Sequence, residues 1–431
     1  MRIVITVVAV LSCTGVAWAQ TQEEFDRLKK QVEELERRLQ DSGEPGSLPD
    51  KARKLDEQGK EGIYTKPFLK RFGRSTYLGG YMDFEYIDAQ NVNPTFRPHR
   101  LIPFIYADVS KNVKFATEIE IEDGGASAGG KVEVEFAFMD LVLTDAVNFR
   151  AGILLEPLGK LNLVHDSPAQ DLTDRPLVDQ WIIPSTLRDA GFGFFGRLTS
   201  PDSEFQIDYE IYAVEGFQGL SNAGTTLIKT TNGLRDARPS VGGISGKAYD
   251  DHNETLAGVG RVTLSPFLGL EIGTSAYVGY YDQANDNLLR IGALDVTLQG
   301  TALSRFTGLR LFSPFEFLFE GAYADIDRNS FAIASGVPND LRGCYFQTNY
   351  HFMFDFIRSG LGLSDEATFT LVGRWDDTKL SGFDRNRLTF GLNFRPIEDT
   401  VIKFDYFFNF EHGDTPRARN NAFMASIATY F

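Results

Sequence analysis

Most of this chain alternates apolar and polar residues one by one, from about Thr76 to Phe431. In residues 113–122 the odd positions are apolar or neutral. The even positions carry the charged side chains Lys114, Glu118, Glu120 and Glu122. A period of two places successive side chains on opposite faces of a β-strand. The pattern therefore predicts a long series of strands, each with one apolar and one polar face.

The same alternation returns in residues 204–211, 387–395 and 402–411. It also returns in residues 131–138, where the apolar face is predicted to comprise Val132, Val134, Phe136 and Phe138, opposite Lys131, Glu133 and Glu135. A soluble β-sandwich also alternates, but its strands are typically five or six residues long, whereas these run to about ten.

The composition supports a membrane barrel over a sandwich. The chain has 36 Phe and 16 Tyr against 5 Met, and its mean hydropathy is −0.20. Apolar residues at every second position give such low averages in barrels that face lipid on one side only. We predict an all-β, transmembrane antiparallel barrel. Fifteen to seventeen strands can be counted, with 289–312 hard to assign; about sixteen is favoured, which leaves an aqueous channel.

The residues before the barrel predict three further regions. Arg2, an apolar stretch and a small-residue cleavage site predict a signal peptide over 1–19. Residues 20–41 are predicted to form a coiled-coil arm, because apolar residues recur at a 3-4-3-4 spacing: Phe25, Leu28, Val32, Leu35 and Leu39. A single amphipathic helix is the alternative. Residues 42–72 are a Gly- and Pro-rich linker, and 73–431 are the barrel.

The final strand ends on an aromatic residue, and one of its faces carries Phe423, Ala425, Ile427, Thr429 and Phe431. This resembles the C-terminal signature by which outer-membrane barrels are recognised for assembly. With the signal peptide, it predicts the Gram-negative outer membrane, outer-membrane lipid as a partner, and a coiled coil in the periplasm.

The net charge is −16, and an acidic surface repels nucleic acid, which we exclude as a partner. Only Cys344 remains after cleavage, so no disulfide can form within the chain. No paired histidines at metal-binding spacing are present. We therefore predict no cofactor, no metal and no catalytic residues.

A long insertion at residues 157–189 combines prolines with charges of both signs. In pores, an inward-folded loop of mixed charge narrows the channel. We predict that this insertion forms the constriction, with the charged residues Lys160, Asp166, Asp171, Asp174, Arg175, Asp179, Arg188 and Asp189. A loop on the outer surface is the alternative.

Several segments resemble the phosphate-selective porin O and P family. They are the N-terminal heptads, the opening strand 77–83, and the run from Phe149 through His165-Asp166-Ser167-Pro168 to Asp179. The resemblance implies a sixteen-stranded barrel, commonly trimeric, in which basic side chains attract anions.

The charges of the predicted lumen favour cations, in contrast to the anions that the resemblance implies. The predicted lumen-lining residues are mostly acidic: Lys114, Glu118, Glu120, Glu122, Glu133, Glu135 and Arg150. We therefore expect an outer-membrane porin for passive diffusion of small hydrophilic solutes or ions, homotrimeric and cation-leaning. A phosphate- or anion-selective porin is the alternative. A barrel enzyme or a structural envelope tether is the second alternative, although no Gly-x-Ser-x-Gly motif is present.

The coiled-coil hypothesis predicts that Leu28→Lys together with Leu35→Lys lowers the detergent stability of the oligomer, because charges disrupt an apolar heptad seam. Lys29→Gln together with Arg38→Gln, between the seam positions, is the control. Semi-native electrophoresis over a temperature series measures the effect. An oligomer that survives removal of residues 20–60 unchanged would show that the arm has another role.

Overall fold

The computed structural model describes residues 70–72, 75–199, 204–239, 253–412 and 420–431. The signal peptide, the coiled-coil arm and nearly all of the linker lie outside these residues. Seventeen strands occur in the described part of the chain. The first, β1 (Lys70–Phe72), is short and pairs with the beginning of β2.

The other sixteen strands form one closed antiparallel sheet. Each pairs with the next in the chain, and the last pairs with β2, from Ala422 opposite Ala89 to Tyr430 opposite Tyr81. The predicted barrel and strand number are confirmed. The strands are β2 Thr76–Ala89, β3 Thr95–Asp108, β4 Val113–Glu122, β5 Lys131–Val142, β6 Asn148–Leu155, β7 Arg188–Thr199, β8 Gln206–Val214, β9 Ala257–Phe267, β10 Leu270–Tyr280, β11 Leu288–Gln299, β12 Phe315–Ile326, β13 Asp340–Phe352, β14 Thr368–Lys379, β15 Asp384–Ile397, β16 Thr400–His412 and β17 Ala422–Tyr430.

Four short α-helices lie in the connections: α1 Leu177–Trp181, α2 Gly300–Thr307, α3 Ser330–Ala334 and α4 Asp355–Leu361. The segment 289–312, which the sequence left ambiguous, consists of all but the first residue of β11, followed by α2 and a 3₁₀ turn. Gly308 ends α2 with a φ of 72°, a left-handed conformation that favours glycine. Within the described residues, no helix is long and apolar enough to cross a membrane.

Alternation along the strands separates two chemically different faces. On β16, Phe404 is 48% exposed on the outer face, whereas its neighbours Lys403 and Asp405 are 1% and 2% exposed on the inner face. The outer face meets lipid in a membrane barrel, which explains its aromatic residues.

One predicted face is wrong. Phe136 and Phe138 lie on the inner face, because the register shifts between Glu118 and Ile119 of β4, which pair with Phe136 and Val134. This β-bulge inserts one extra residue, and every position beyond it changes face. The two phenylalanines therefore join the buried core inside the barrel.

The seam between β17 and β2 contains a close backbone approach. Gly80 and Phe431 exchange backbone hydrogen bonds of 3.2 and 2.9 Å. A Cβ added to Gly80 would meet the carbonyl oxygen of Ile102 and lie 2.7 Å from the Phe431 ring. Only glycine leaves room for both neighbours.

We therefore expect Gly80→Val to destabilise the closed barrel, because the added side chain forces the seam apart. Gly373→Val is the matched control, since a Cβ there has no atom within 4 Å. Heat-modifiable migration on gels measures the folded fraction. Equal melting of the two variants would contradict a tightly packed seam.

Candidate pore and its constriction

The connection between β6 and β7, residues 156–187, lies inside the barrel, and we call it the inserted segment. The backbone amide of Thr173 donates to Asp405 on β16 at 2.5 Å. The amide of Leu177 donates to Asp376 on β14 at 2.9 Å. Carboxylates on the inner wall thus replace the backbone partners that an isolated loop lacks.

Two predicted constriction residues tie the inserted segment to β15. Asp171 lies 3.3 Å from the guanidinium of Arg395, and Asp174 pairs with Arg387. Asp171 also accepts a hydrogen bond of 2.7 Å from Asn349 on β13. Both charges are therefore used to hold the segment against the wall.

Three more of the predicted constriction residues form contacts at the two ends of the inserted segment. The Lys160 Nζ atom lies 2.9 Å from Glu271 on β10. Arg188 donates to Glu133 on β5 at 2.6 Å. Asp189 accepts a bond of 2.6 Å from a backbone amide of the connection between β8 and β9. Like Asp171, these three residues do not contribute to the cavity described below.

Asp179 is fully buried, and neither of its carboxylate oxygens has a hydrogen-bond partner among the described residues. Burial raises the pKa of Asp179 well above its usual range, with nearby Glu320 as the next cause. Both causes disfavour the carboxylate form. Asp179 is thus poorly suited to supply a fixed negative charge to a channel.

Arg150 and Lys114, predicted to line the lumen, lie on the inner face but are paired. The Arg150 Nε atom lies 2.6 Å from Asp140, and its guanidinium lies 3.9 Å from the ring centre of Phe138. Lys114 lies 2.6 Å from Asp108. Because each of these cations is paired with a carboxylate, neither is a good candidate for binding a charged solute.

The predicted acidic wall is neutralised by cations. Arg100 lies 3.1 Å from Glu120 and 3.3 Å from Glu122. Lys131 lies 3.2 Å from Glu122 and 3.0 Å from Glu133. Because each of these carboxylates has a cation beside it, the wall contributes much less negative potential than its residue count indicates.

Glu118 on β4 and Glu135 on β5 are fully buried. Their carboxylates face His165 and Asp166 of the inserted segment. Asp166 also accepts a hydrogen bond of 3.0 Å from Tyr430 on β17. The predicted lumen residues Glu118 and Glu135 therefore join the inserted segment to the wall.

A polar cavity of about 400 Å³ remains between the inserted segment, the inner wall formed by β2, β3, β4, β5, β16 and β17, and the connection between β8 and β9. Its basic lining residues are Arg97, Arg100, Lys131, Arg175, Arg235, Arg238 and Lys403. Its acidic lining residues are Glu85, Glu120, Glu122 and Asp174. All four acids stand in ion pairs, that of Glu85 with Arg97 at 3.6 Å.

Three of the arginines lining the cavity, Arg175, Arg235 and Arg238, form no ion pair with a carboxylate in the part of the chain that the structure describes. Arg175 donates to the carbonyl oxygen of Ser185 at 2.6 Å. Burial lowers the pKa of Arg175 to about 10, with nearby Arg100 as the next cause. Burial also lowers the pKa of Arg238. At neutral pH the Arg175 guanidinium is still charged, so the cavity carries a net positive lining.

Sequence reasoning named Asp174, Arg175, Glu120 and Glu122 from this cavity but missed most of its cations. Arg97 and Arg100 lie on β3, where the register shifts opposite Asp83 and Glu85 and obscures the alternation. Lys403 is visible as a polar position of a regular strand. The other missed arginines lie in the connection between β8 and β9, which has no periodic pattern to place them.

Comparison with known proteins identifies the class of fold. The crystal structure of the outer-membrane channel DcaP of Acinetobacter baumannii matches with a TM-score of 0.52 and 10% identity, covering 85% of this chain and all of that one. The anion-selective porin of Comamonas acidovorans matches with a TM-score of 0.51 and 11% identity, covering 83% of this chain and all of that one. The chain therefore has the sixteen-stranded barrel fold of outer-membrane porins.

The sequence comparisons are less specific. No family model matches the chain. An uncharacterised protein of Aquifex aeolicus is 26% identical, over 76% of this chain and 74% of that protein. The resemblance to the phosphate-selective porin O and P family is therefore not confirmed.

The contacts of Asp171 and Asp174 lead to a prediction about the inserted segment. Asp171→Asn with Asp174→Asn removes two charge-assisted contacts to β15, each typically about 1.5–3 kcal/mol. We expect amide hydrogen exchange in residues 171–180 to accelerate about tenfold or more. Asp325→Asn, which breaks a contact of 3.0 Å with Arg290 away from the cavity, is the control. Unchanged exchange in the double variant would show that other contacts hold the segment.

Proposed function

We propose that this protein is an outer-membrane porin through which small hydrophilic solutes or ions diffuse passively. The observation that carries the proposal is the polar, charge-lined cavity inside a closed barrel with an aromatic outer face. Residues lining such a cavity replace part of the hydration shell of a charged solute. The porin fold supports the same function and the Gram-negative outer membrane as its location.

We propose further that the pore leans towards anions. The sequence predicted a preference for cations, because most of the predicted lumen-lining residues on β4 and β5 are acidic. In the structure Glu120, Glu122 and Glu133 lie beside cations. The guanidinium groups of Arg175, Arg235 and Arg238 remain for a solute, and a low-dielectric wall strengthens their potential.

Phosphate selectivity is a narrower version of this proposal. The inner face of β15 carries Arg385, Arg387 and Arg395, which resembles a basic ladder. These arginines pair with Glu411, Asp174 and Asp171. A ladder occupied in this way supports the position of the inserted segment, so the three cavity arginines are the better candidates for anion binding.

The two remaining alternatives have less support. For a barrel enzyme, His165 would have to activate a neighbouring hydroxyl, but its Nδ1 atom lies 2.9 Å from the carbonyl oxygen of Asn162 and its Nε2 atom contacts Glu135. A structural tether with a plugged barrel conducts nothing, so it would not need an open, charge-lined cavity. We also propose a homotrimer, supported by the heptad spacing of residues 25–39.

Reversal potential in a salt gradient tests the selectivity. We expect the wild-type channel to prefer chloride, and the triple variant Arg175→Gln, Arg235→Gln and Arg238→Gln to shift towards potassium, because the positive lining is lost. The matched control removes three charges away from the cavity: Lys229→Gln, Arg290→Gln and Arg305→Gln.

A wild-type channel that prefers cations, or a triple variant indistinguishable from the control, would contradict the anion proposal while leaving the pore intact. Absence of any conductance from folded protein would contradict the porin proposal. Block of the current by low phosphate concentrations would support the phosphate-selective subtype.

A further inference from the structure

Four buried side chains meet where the inserted segment contacts β4 and β5. They are Glu118 on β4, Glu135 on β5, and His165 and Asp166 from the inserted segment, each at most 3% exposed. One ligand atom each of Glu118, His165 and Asp166 lies within 4.8 Å of the others. The Nε2 atom of His165 contacts Oε1 of Glu135. This set combines one imidazole with three carboxylates.

The orientation of His165 is set by its other ring nitrogen. Nδ1 lies 2.9 Å from the carbonyl oxygen of Asn162. A carbonyl oxygen only accepts hydrogen bonds, so Nδ1 carries the proton and donates. Nε2 is then the ring nitrogen on the carboxylate side, where it contacts Glu135. Metal-binding histidines show the same arrangement, with the second nitrogen donating to a carbonyl or carboxylate.

Two tyrosines, Tyr81 and Tyr430, lie next to the cluster. Tyr430 donates a hydrogen bond of 3.0 Å to Asp166, which orients that carboxylate. The hydroxyl of Tyr81 is fully buried and has no hydrogen-bond partner among the described residues. Its electrostatic neighbours are Arg100 and the carboxylates of Asp166, Glu135 and Glu118. Buried hydroxyls normally have a partner, so the Tyr81 hydroxyl points to a further group at this site.

The charge of the cluster favours a cation. Within the cluster three carboxylates stand against one imidazole, a composition that suits a cation, and Arg100, Arg175 and Arg188 are electrostatic neighbours of Glu135. Arg100, a nearby cation, already lies beside Glu120 and Glu122. Like charges at this separation repel strongly away from water unless a cation or protons offset them.

We propose that Glu118, Glu135, His165 and Asp166 bind a divalent transition-metal ion that joins the inserted segment to the barrel wall. The sequence predicted no metal, because the ligands are far apart in the chain and only His165 and Asp166 are neighbours. An imidazole nitrogen favours zinc and similar ions over calcium or magnesium, whose ligands are mainly oxygens. Ligand atoms of tetrahedral zinc lie about 3.3 Å apart, so modest side-chain rotations bring Glu118, His165 and Asp166 onto one ion. Glu135, in contact with His165, is the fourth candidate ligand.

Zinc binding to the folded, detergent-solubilised full-length protein tests the proposal. The protein is stripped with a chelator, dialysed against zinc, and its bound metal is measured by mass spectrometry. We expect about one zinc ion per chain that is lost in His165→Ala and in the double variant Glu118→Gln, Glu135→Gln. His351→Ala is the matched control, because the His351 ring contacts the Thr370 hydroxyl.

Tyr430→Phe provides a variant that leaves all four ligands in place. We expect it to weaken zinc binding by about tenfold, as outer-shell changes typically do. His99→Ala tests the nearby group of Asp83, Glu85 and His99 as a competing site, and we expect it to retain zinc. Heat-modifiable migration checks that each variant is folded.

No stoichiometric zinc on the wild-type protein, or equal zinc on folded His165→Ala, would overturn the proposal. His165 and Glu135 would then form an imidazolium–carboxylate pair that joins the same surfaces without an ion. Loss of zinc from His99→Ala alone would also overturn it, because the metal would belong to the other cluster. These outcomes are independent of conduction, since binding is measured without a membrane.

Discussion

Backbone hydrogen bonding in a medium without water is the constraint on which the structure depends. Every amide and carbonyl group that faces hydrocarbon needs a partner within the protein, and a sheet meets this requirement only when it has no free edge. The pairing of β17 with β2 removes both edges. The glycine at position 80 permits this closure, because the Phe431 ring and the carbonyl oxygen of Ile102 occupy the space of a side chain.

Closure creates a second problem, which is how to fill the interior. A sixteen-stranded barrel is too wide for its own side chains to meet. The inserted segment fills part of it with an apolar cluster that includes Leu177, Trp181 and Ile183. Its backbone amides are satisfied by inward carboxylates, such as Glu320, which accepts from two consecutive amides at 3.1 Å. Several acidic residues of the wall therefore serve as backbone acceptors, a role that their sequence positions do not reveal.

The sequence predicts the strands well because alternation is a local property. It failed at Phe136 and Phe138, where one bulged residue exchanged the two faces. It did not assign residues 289–312, because α2 interrupts the connection between β11 and β12. The partners of the charged residues were beyond prediction, because Asp174 and Arg387 are 213 positions apart. In strands without a bulge the sequence thus indicated which residues face inwards, but not which of them are already paired.

The difference between paired and unpaired inward-facing charges determines the ion selectivity that we propose for the pore. The chain carries −16 charges, and a total count suggests a pore that attracts cations. Exposed charges beyond about 8 Å are screened at physiological salt, and a carboxylate beside a guanidinium contributes only a short-range dipole. The potential that a solute meets therefore comes from the groups next to the cavity that lack a counter-charge. In the described residues those groups include Arg175, Arg235 and Arg238. An acidic protein can in this way have a pore that attracts anions, provided that its acids are occupied in holding the inserted segment in place.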